Sequence, residues 1–237
     1  AAPCPIPVKL GMIEWFGPVF VDAYGATEVG TVCSITSQDW LTHPGSVGKV
    51  VNPPFTRCIV VDDDGKELPP NTEGRLFFED ATGRGVVYPN DPEKSAKAHL
   101  RPGVFTLGEI GYVDEDGFVY ITDRFSDMIV SGGVNIYPQE CENLLVSHPK
   151  VLDAAVFGVP NDDLGEEVKA VVQVVPGVSA DAALAAELLD YCAAHLARQK
   201  VPRSLDFIDE LPRLPTGKLY KRLLRDRYWE GRATRLI

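Results

Sequence analysis

The stretch from Thr122 to Pro138, TDRFSDMIVSGGVNIYP, constrains this chain most, because the sequence changes texture across it. Ahead of it, β-branched and aromatic runs alternate with turn residues; beyond it, strand-like and helical runs alternate. An apolar strand, Phe118 to Thr122, is followed by Asp123-Arg124, by a short apolar run from Met128 to Val130, and by adjacent Gly132 and Gly133. Pro138 suits the first position of a helix, where its missing N–H costs nothing, and Glu140 and Glu142 fall in the positive first turn. The pattern reads as strand, polar joint, glycine loop and helix start. It fits either a hinge between domains or an ordinary surface loop.

A length of 237 residues allows two domains with cores of their own. The 45% apolar and 24% charged fractions are those of an ordinary globular protein. No run approaches the roughly 18 apolar residues of a membrane span, and no signal peptide is visible, so no transmembrane segment is expected. The start Ala1-Ala2-Pro3, without methionine, implies a processed chain or the downstream part of something longer. A net charge of −11 argues against general nucleic-acid binding. The charge is unevenly placed, with eight Lys or Arg between Arg213 and Arg235 against Asp226 and Glu230. That basic segment suits either a small anionic ligand or a solvated helix face. The five cysteines (Cys4, Cys33, Cys58, Cys141 and Cys192) are far apart and have no metal-ligand spacing. Free thiols in a reducing, cytoplasmic setting are the expectation.

Along the chain, the prolines near the start predict an extended opening, Val8 to Trp15 a short helix, and Val19 to Tyr24 a strand. Gly25 and Gly30 flank a Thr27-Glu28 pair. The glycines let backbone approach a ligand closely, and a hydroxyl beside a carboxylate suits a Mg²⁺-phosphate group. Arg57 to Val61 and Gly74 to Glu79 read as strands. Asp62-Asp63-Asp64-Gly65 and Asp114-Glu115-Asp116-Gly117 read as turns, since neither has the downstream Glu of a Ca²⁺ loop. Asn90 to Leu100 predicts a helix capped by Asn90 or Asp91. Later elements are a helix from Pro138 to Ser147, strands at Ala154 to Val159 and Lys169 to Val175, and a long helix from Ala180 to Arg198. That helix places Leu184, Leu188, Tyr191, Cys192 and His195 on one face, with His195 at the core edge. A strand from Ser204 to Ile208, a tight loop from Leu214 to Lys218 and a basic amphipathic helix from Leu219 to Tyr228 complete it.

Three stretches in order, Tyr24-Gly25-Ala26-Thr27-Glu28, the Thr122–Pro138 segment and Pro215-Thr216-Gly217-Lys218, together resemble the adenylate-forming superfamily of acyl-CoA synthetases, luciferases and peptide-synthetase adenylation domains. The wording is closest to bacterial fatty-acyl-CoA synthetases, with Asn90-Asp91-Pro92-Glu93, Gly111 to Gly117 and Ser131 to Pro138 also similar. The resemblance implies a mixed α/β (α+β) fold in three parts. These are residues 1–45 as the tail of a large N-terminal αβ region, 46–125 as a β-rich distorted-barrel subdomain, and 126–237 as a small mobile α+β C-terminal domain. The upstream loop that cradles ATP phosphates in such enzymes is absent, so the expected partner is the missing N-terminal domain, and the fragment alone is expected to be inactive.

The implied activity is that of an ATP-dependent acyl-CoA ligase. It activates a carboxylic acid, a fatty acid by the resemblance, as acyl-adenylate and passes it to CoA, with ATP, Mg²⁺ and CoA as cofactors and cosubstrate. By resemblance, Lys218 is the catalytic ammonium, Glu28 the Mg²⁺ carboxylate and Thr27 a phosphate contact. Tyr24 lies against adenine, Gly25 is a nucleotide-binding position, Glu109 takes the ribose hydroxyls, and Arg124 reaches ribose or phosphate. Ser131, Gly132 and Gly133 form the loop beside the CoA tunnel, and Ser126 is the hinge. Glu109 stands where the family usually has Asp, and Ser126 where it has Asp or Lys. The alternatives are an adenylation domain that loads a carrier protein and a stand-alone, non-catalytic nucleotide- or partner-binding module.

Overall fold

A computed structural model of the chain describes Cys4, residues 6–215 and residues 217–230. Ala1 to Pro3, Thr216 of the Lys218 loop, and Arg232 and Arg235 of the basic segment lie outside the described residues. The chain divides into two compact units, 4–126 and 127 onward.

The first unit opens with helix α1 (Ile6–Phe16), apolar on nearly every side and with much of that surface exposed, Trp15 at 84% and Phe16 at 62%. Strands β1 (Val21–Ala26) and β2 (Gly30–Thr36) form an antiparallel hairpin, followed by α2 (Ser37–Thr42), whose first turn is capped by the Thr36 hydroxyl. Then come β3 (Ser46–Val50), β4 (Thr56–Val61), β5 (Gly74–Asp80), α3 (Pro92–Lys97), β6 (His99–Arg101), β7 (Val104–Phe105), β8 (Glu109–Val113) and β9 (Val119–Arg124). All nine strands share one sheet, in the order β1-β2-β3-β9-β8-β5-β7-β6, with β4 on β5. Alternation along β5 buries both of its faces. Leu76 and Phe78 join Val32, Val60, Phe105 and Val119 in one cluster, and Phe77 joins Ile59, Val61 and Val104 in another. The acidic runs are turns closed by Asp62 and Asp114, whose side chains accept the N–H groups of Lys66 and Phe118. Helix α3 is shorter than the sequence predicts. Asp91 caps it through the Lys94 N–H at 2.9 Å, and His99 and Leu100 are drawn into β6 by pairing with β7.

The second unit begins with a hairpin, β10 (Ile129–Ser131) and β11 (Val134–Ile136), in place of the predicted glycine loop. Gly132 and Gly133 are its turn, at φ +57° and +80°, a conformation that disfavours side chains. Helix α4 (Pro138–Val146) starts on Pro138 as predicted. Strands β12 (Val151–Asn161) and β13 (Gly165–Val174) form a hairpin longer than the sequence implies. Two features extend it. Pro160 lies on an edge strand, where its missing N–H breaks no ladder, and the Asn161 side chain accepts the N–H groups of Asp163 and Leu164, so the chain turns within three residues. Helix α5 (Ala182–His195), strand β14 (Ser204–Phe207, parallel to β13) and α6 (Lys221–Trp229) complete the unit.

Alternation along β12 again sends side chains both ways. Ala154 and Val156 pack with Leu145 of α4 and Leu184, Leu188 and Cys192 of α5, while Ala155, Phe157 and Val159 pack with Leu224 of α6 and with Leu211, which precedes that helix. His195 is exposed rather than at the core edge, because α5 ends there and its ring turns back to the Tyr191 carbonyl. Among the described residues no disulfide joins any of the five cysteines. Among the described residues no helix is long and apolar enough to cross a membrane.

Candidate functional site

The residues singled out in the sequence fall into clusters on each of the two units. In the first, Tyr24 and Gly25 lie at a register shift in the β1–β2 hairpin. A Cβ on Gly25 would stand 2.0 Å from the Gly30 carbonyl oxygen, so glycine is the only residue that lets the two strands close here. A turn follows, closed by the Val29 N–H on the Ala26 carbonyl at 3.2 Å, with Val29 buried as its anchor. Thr27 and Glu28 therefore stand at the tip, both exposed. One exposed carboxylate beside one hydroxyl is a donor set that fits Mg²⁺, an ion that takes most of its ligands from phosphate and water. Among the described residues no group of three or more His, Cys, Asp or Glu could hold a metal by itself.

Glu109 and Arg124 face each other across β8 and β9. The Tyr24 hydroxyl donates to the buried Glu109 carboxylate at 2.6 Å, bringing residues 85 positions apart into one cluster with Arg124 beside them. The tyrosine ring is backed by Phe78, 6.1 Å away between centroids. Burial first, and then the Glu109 charge, push the Tyr24 phenol far above its ordinary value, so it remains a donor. Glu109 is one methylene longer than Asp, and its buried carboxylate accepts from a phenol. Removing that donor leaves a buried carboxylate short of one hydrogen bond. Tyr24→Phe is therefore expected to lower stability by about 1–3 kcal/mol, read as a shift in the urea midpoint of the chain; a shift below ~0.5 kcal/mol would mean that the pair carries no weight.

Ser126 is exposed, within a 3₁₀ turn (Phe125–Asp127), at the last position of the first unit.

In the second unit the Ser131-Gly132-Gly133 hairpin is held to the tip of the β12–β13 hairpin. The Gly132 N–H donates to the Leu164 carbonyl at 2.9 Å, Ser131 pairs with Gly165, and the Val130 N–H donates to the Glu166 carboxylate at 3.1 Å. Lys218 is half-buried in a separate tight turn. There the Gly217 N–H donates to the Leu214 carbonyl and the Leu214 N–H to the Lys218 carbonyl, both at 2.8 Å. Arg213 joins this turn to Asp153 at the start of β12. Asp153 and Asn161 are eight residues apart on β12, about 26 Å at strand rise. The glycine hairpin and the lysine turn are thus mounted at opposite ends of one strand.

Sequence reasoning missed Arg213, Asp153 and the Glu142–Lys221 pair, which joins α4 to α6 at 2.7 Å. No local signal marks them, because each depends on a partner 60 or more positions away.

Comparison with known proteins adds independent findings. The model for AMP-binding enzymes matches residues 1–85, and that for the AMP-binding enzyme C-terminal domain matches residues 140–218, ending on Lys218. A 2-succinylbenzoate–CoA ligase from Geobacillus kaustophilus is 40% identical over 226 residues, 94% of this chain and 44% of that protein. The fatty acid–[acyl-carrier-protein] ligase ScoC from Streptomyces coeruleorubidus is 37% identical over 219 residues, 92% of this chain and 41% of that one. Among solved structures, ATP-bound MatB from Rhodopseudomonas palustris superimposes with a TM-score of 0.85 at 33% identity, covering 97% of this chain and 44% of that chain. The chain spans less than half the length of these relatives. Sequence models at both ends and a shared mixed α/β fold with antiparallel sheets place the chain in the AMP-binding, adenylate-forming enzyme superfamily.

Proposed function

We propose that the chain is the C-terminal part of an AMP-forming acid–thiol ligase. The parent enzyme joins a carboxylic acid to ATP as acyl-adenylate, releases pyrophosphate, and then transfers the acyl group to the thiol of CoA. The observation that carries this reading is the Tyr24–Glu109–Arg124 cluster beside the exposed Thr27-Glu28 tip, which gathers an aromatic face, a carboxylate, a guanidinium and a hydroxyl–carboxylate pair on one unit. Tyr24 takes the adenine of the nucleotide, Gly25 lets the backbone come close to it, Glu109 takes the ribose hydroxyls, and Arg124 the ribose or phosphate. Thr27 contacts phosphate and Glu28 holds Mg²⁺, which when bound supplies positive charge to the leaving phosphates.

Adenylation brings two anions together, and Lys218 supplies the fixed positive charge that offsets their repulsion and the charge moving onto pyrophosphate. Ser131, Gly132 and Gly133 serve the thiol step. Their mounting at the far end of β12 from Lys218 supports a division in which each half-reaction uses a different end of the second unit. Ser126 is the pivot, and the working parts are residues 1–45, 46–125 and 126–237. The exposed apolar surface of α1 supports an N-terminal domain as the chain's partner. On this reading the isolated chain is inactive, and the acid is a fatty acid.

The test is pyrophosphate release by the full-length protein over a panel of fatty and aromatic acids with CoA as acceptor. Thioester formation with a medium or long fatty acid is expected; turnover only of an aromatic acid would overturn the fatty-acid assignment, and none with any acid the ligase reading. A carrier-protein thiol is the second reading, favoured by the 37% identity to a ligase named for that acceptor. Replacing CoA by a phosphopantetheinyl carrier protein in the same assay separates the two.

A further inference from the structure

The geometry points to Arg213 as a positioning residue for Lys218, acting with Asp153. This inference rests on the role proposed above for Lys218. One guanidinium nitrogen of Arg213 donates to the Gly217 carbonyl oxygen at 2.6 Å, and the other pairs with the Asp153 carboxylate. Asp153 lies where the register of β12 against β13 shifts, and its other oxygen accepts the Ala154 N–H at 2.9 Å. It is therefore fixed to the sheet by its own backbone.

The Gly217 carbonyl and the Lys218 nitrogen belong to one peptide plane, so holding that oxygen holds the plane that ends at the Lys218 Cα. The plane on the other side of Lys218 is held as well, because its carbonyl accepts the Leu214 N–H at 2.8 Å. With both flanking planes fixed, φ and ψ of Lys218 are fixed, and the lysine side chain leaves the turn in one direction. Gly217, at φ +82°, has no side chain to restrict it, and both Arg213 and Gly217 are exposed. Leu214 and Pro215 are exposed as well, and backbone pairing of Arg213 with Leu219 closes the base of the turn. An exposed ion pair contributes little to overall stability. Its effect here is on orientation: Arg213 refers a glycine turn to a rigid strand.

The test uses the full-length protein, with Arg213→Ala, Arg213→Lys and Asp153→Asn, each also combined with Lys218→Ala. Adenylation is read by pyrophosphate release, and the second half-reaction by thioester formation from supplied acyl-adenylate. Arg213→Ala is expected to lower kcat for adenylation by about 10- to 100-fold, the scale of a misplaced catalytic group. KM for ATP, the rate from supplied acyl-adenylate and Tm should stay near the parent values. Arg213→Lys should recover part of the rate, since an ammonium reaches one acceptor but does not span both. In the Lys218→Ala background Arg213→Ala should add nothing.

Asp153→Asn keeps the Ala154 bond and the shape, so it carries the test if Arg213→Ala lowers Tm strongly. Equal losses in both half-reactions, or a full loss from Arg213→Ala on top of Lys218→Ala, would overturn the tether. So would normal adenylation by Arg213→Ala and Asp153→Asn while Lys218→Ala is slow, and that result leaves the ligase reading standing. If Lys218→Ala itself adenylates normally, the role of Lys218 fails and the tether fails with it.

Discussion

Replacing Lys218 with alanine in the full-length protein is expected to slow adenylation by about 10²- to 10³-fold, or about 2.7–4 kcal/mol in barrier, the cost of removing one preorganised electrostatic group. The loss should appear in kcat for pyrophosphate release. It should not appear in thioester formation from supplied acyl-adenylate, where phosphate and carboxylate have already been joined and the repulsion that the ammonium offsets is gone. Lys218→Arg should not rescue fully, since a planar guanidinium does not reproduce a compact point charge. Equal losses in both half-reactions would show that Lys218 supports the structure of its unit rather than the first chemical step.

The second large effect is on stability and lies away from the chemistry. Glu142 of α4 is 5% exposed, and its carboxylate accepts both the Val156 N–H of β12 and the Lys221 ammonium of α6, each at 2.7 Å. Val156 is on an edge strand, so this outward N–H has no strand to receive it. Glu142→Ala removes the acceptor from a buried N–H and the counter-charge from a largely buried ammonium, and is expected to cost about 3–5 kcal/mol. That is as much as emptying a core leucine. Glu142→Gln should cost less, because its carbonyl still accepts from Val156. Trp229, whose indole N–H donates to the Gly158 carbonyl in the same unit, gives a fluorescence report of urea unfolding. A loss below about 1 kcal/mol in that transition would mean that α6 is held by Leu224 and its apolar neighbours alone.

Lys221 connects the two predictions. It stands three residues after Lys218, so the pair that holds the start of α6 also limits where the lysine turn can go. Deleting Glu142 should therefore weaken the unit and, at temperatures near its lowered Tm, reduce adenylation as well. Measuring both at 15–20 °C below that Tm separates the unfolding effect from any direct one.

Local chemistry made some elements readable. Pro138 opens α4 because its ring is already in helical φ, and Asp91 caps α3 because a short carboxylate reaches the free N–H three residues on. The acidic runs are turns for the same short-range reason. Other elements turned on pairing. The Met128–Pro138 segment reads as an apolar run and a glycine loop, yet it folds as a hairpin because Ile129 and Ile136 pair with each other and both enter the α4–α5 core. The extra length of β12 and β13 likewise depends on each strand finding the other.

The sequence by itself determined the starts of α3 and α4, the cores of β4, β5, β12 and β13, the helices α5 and α6, and the motifs that mark the superfamily, since these follow from propensity, hydrophobic period and residue identity within a few positions. Tertiary structure alone decided that Glu109 receives the Tyr24 hydroxyl, that Arg213 spans Gly217 and Asp153, and that the glycine hairpin and the lysine turn stand at opposite ends of β12. Such contacts join residues scores of positions apart. They depend on strand register and side-chain reach, and neither is set until the sheets have formed.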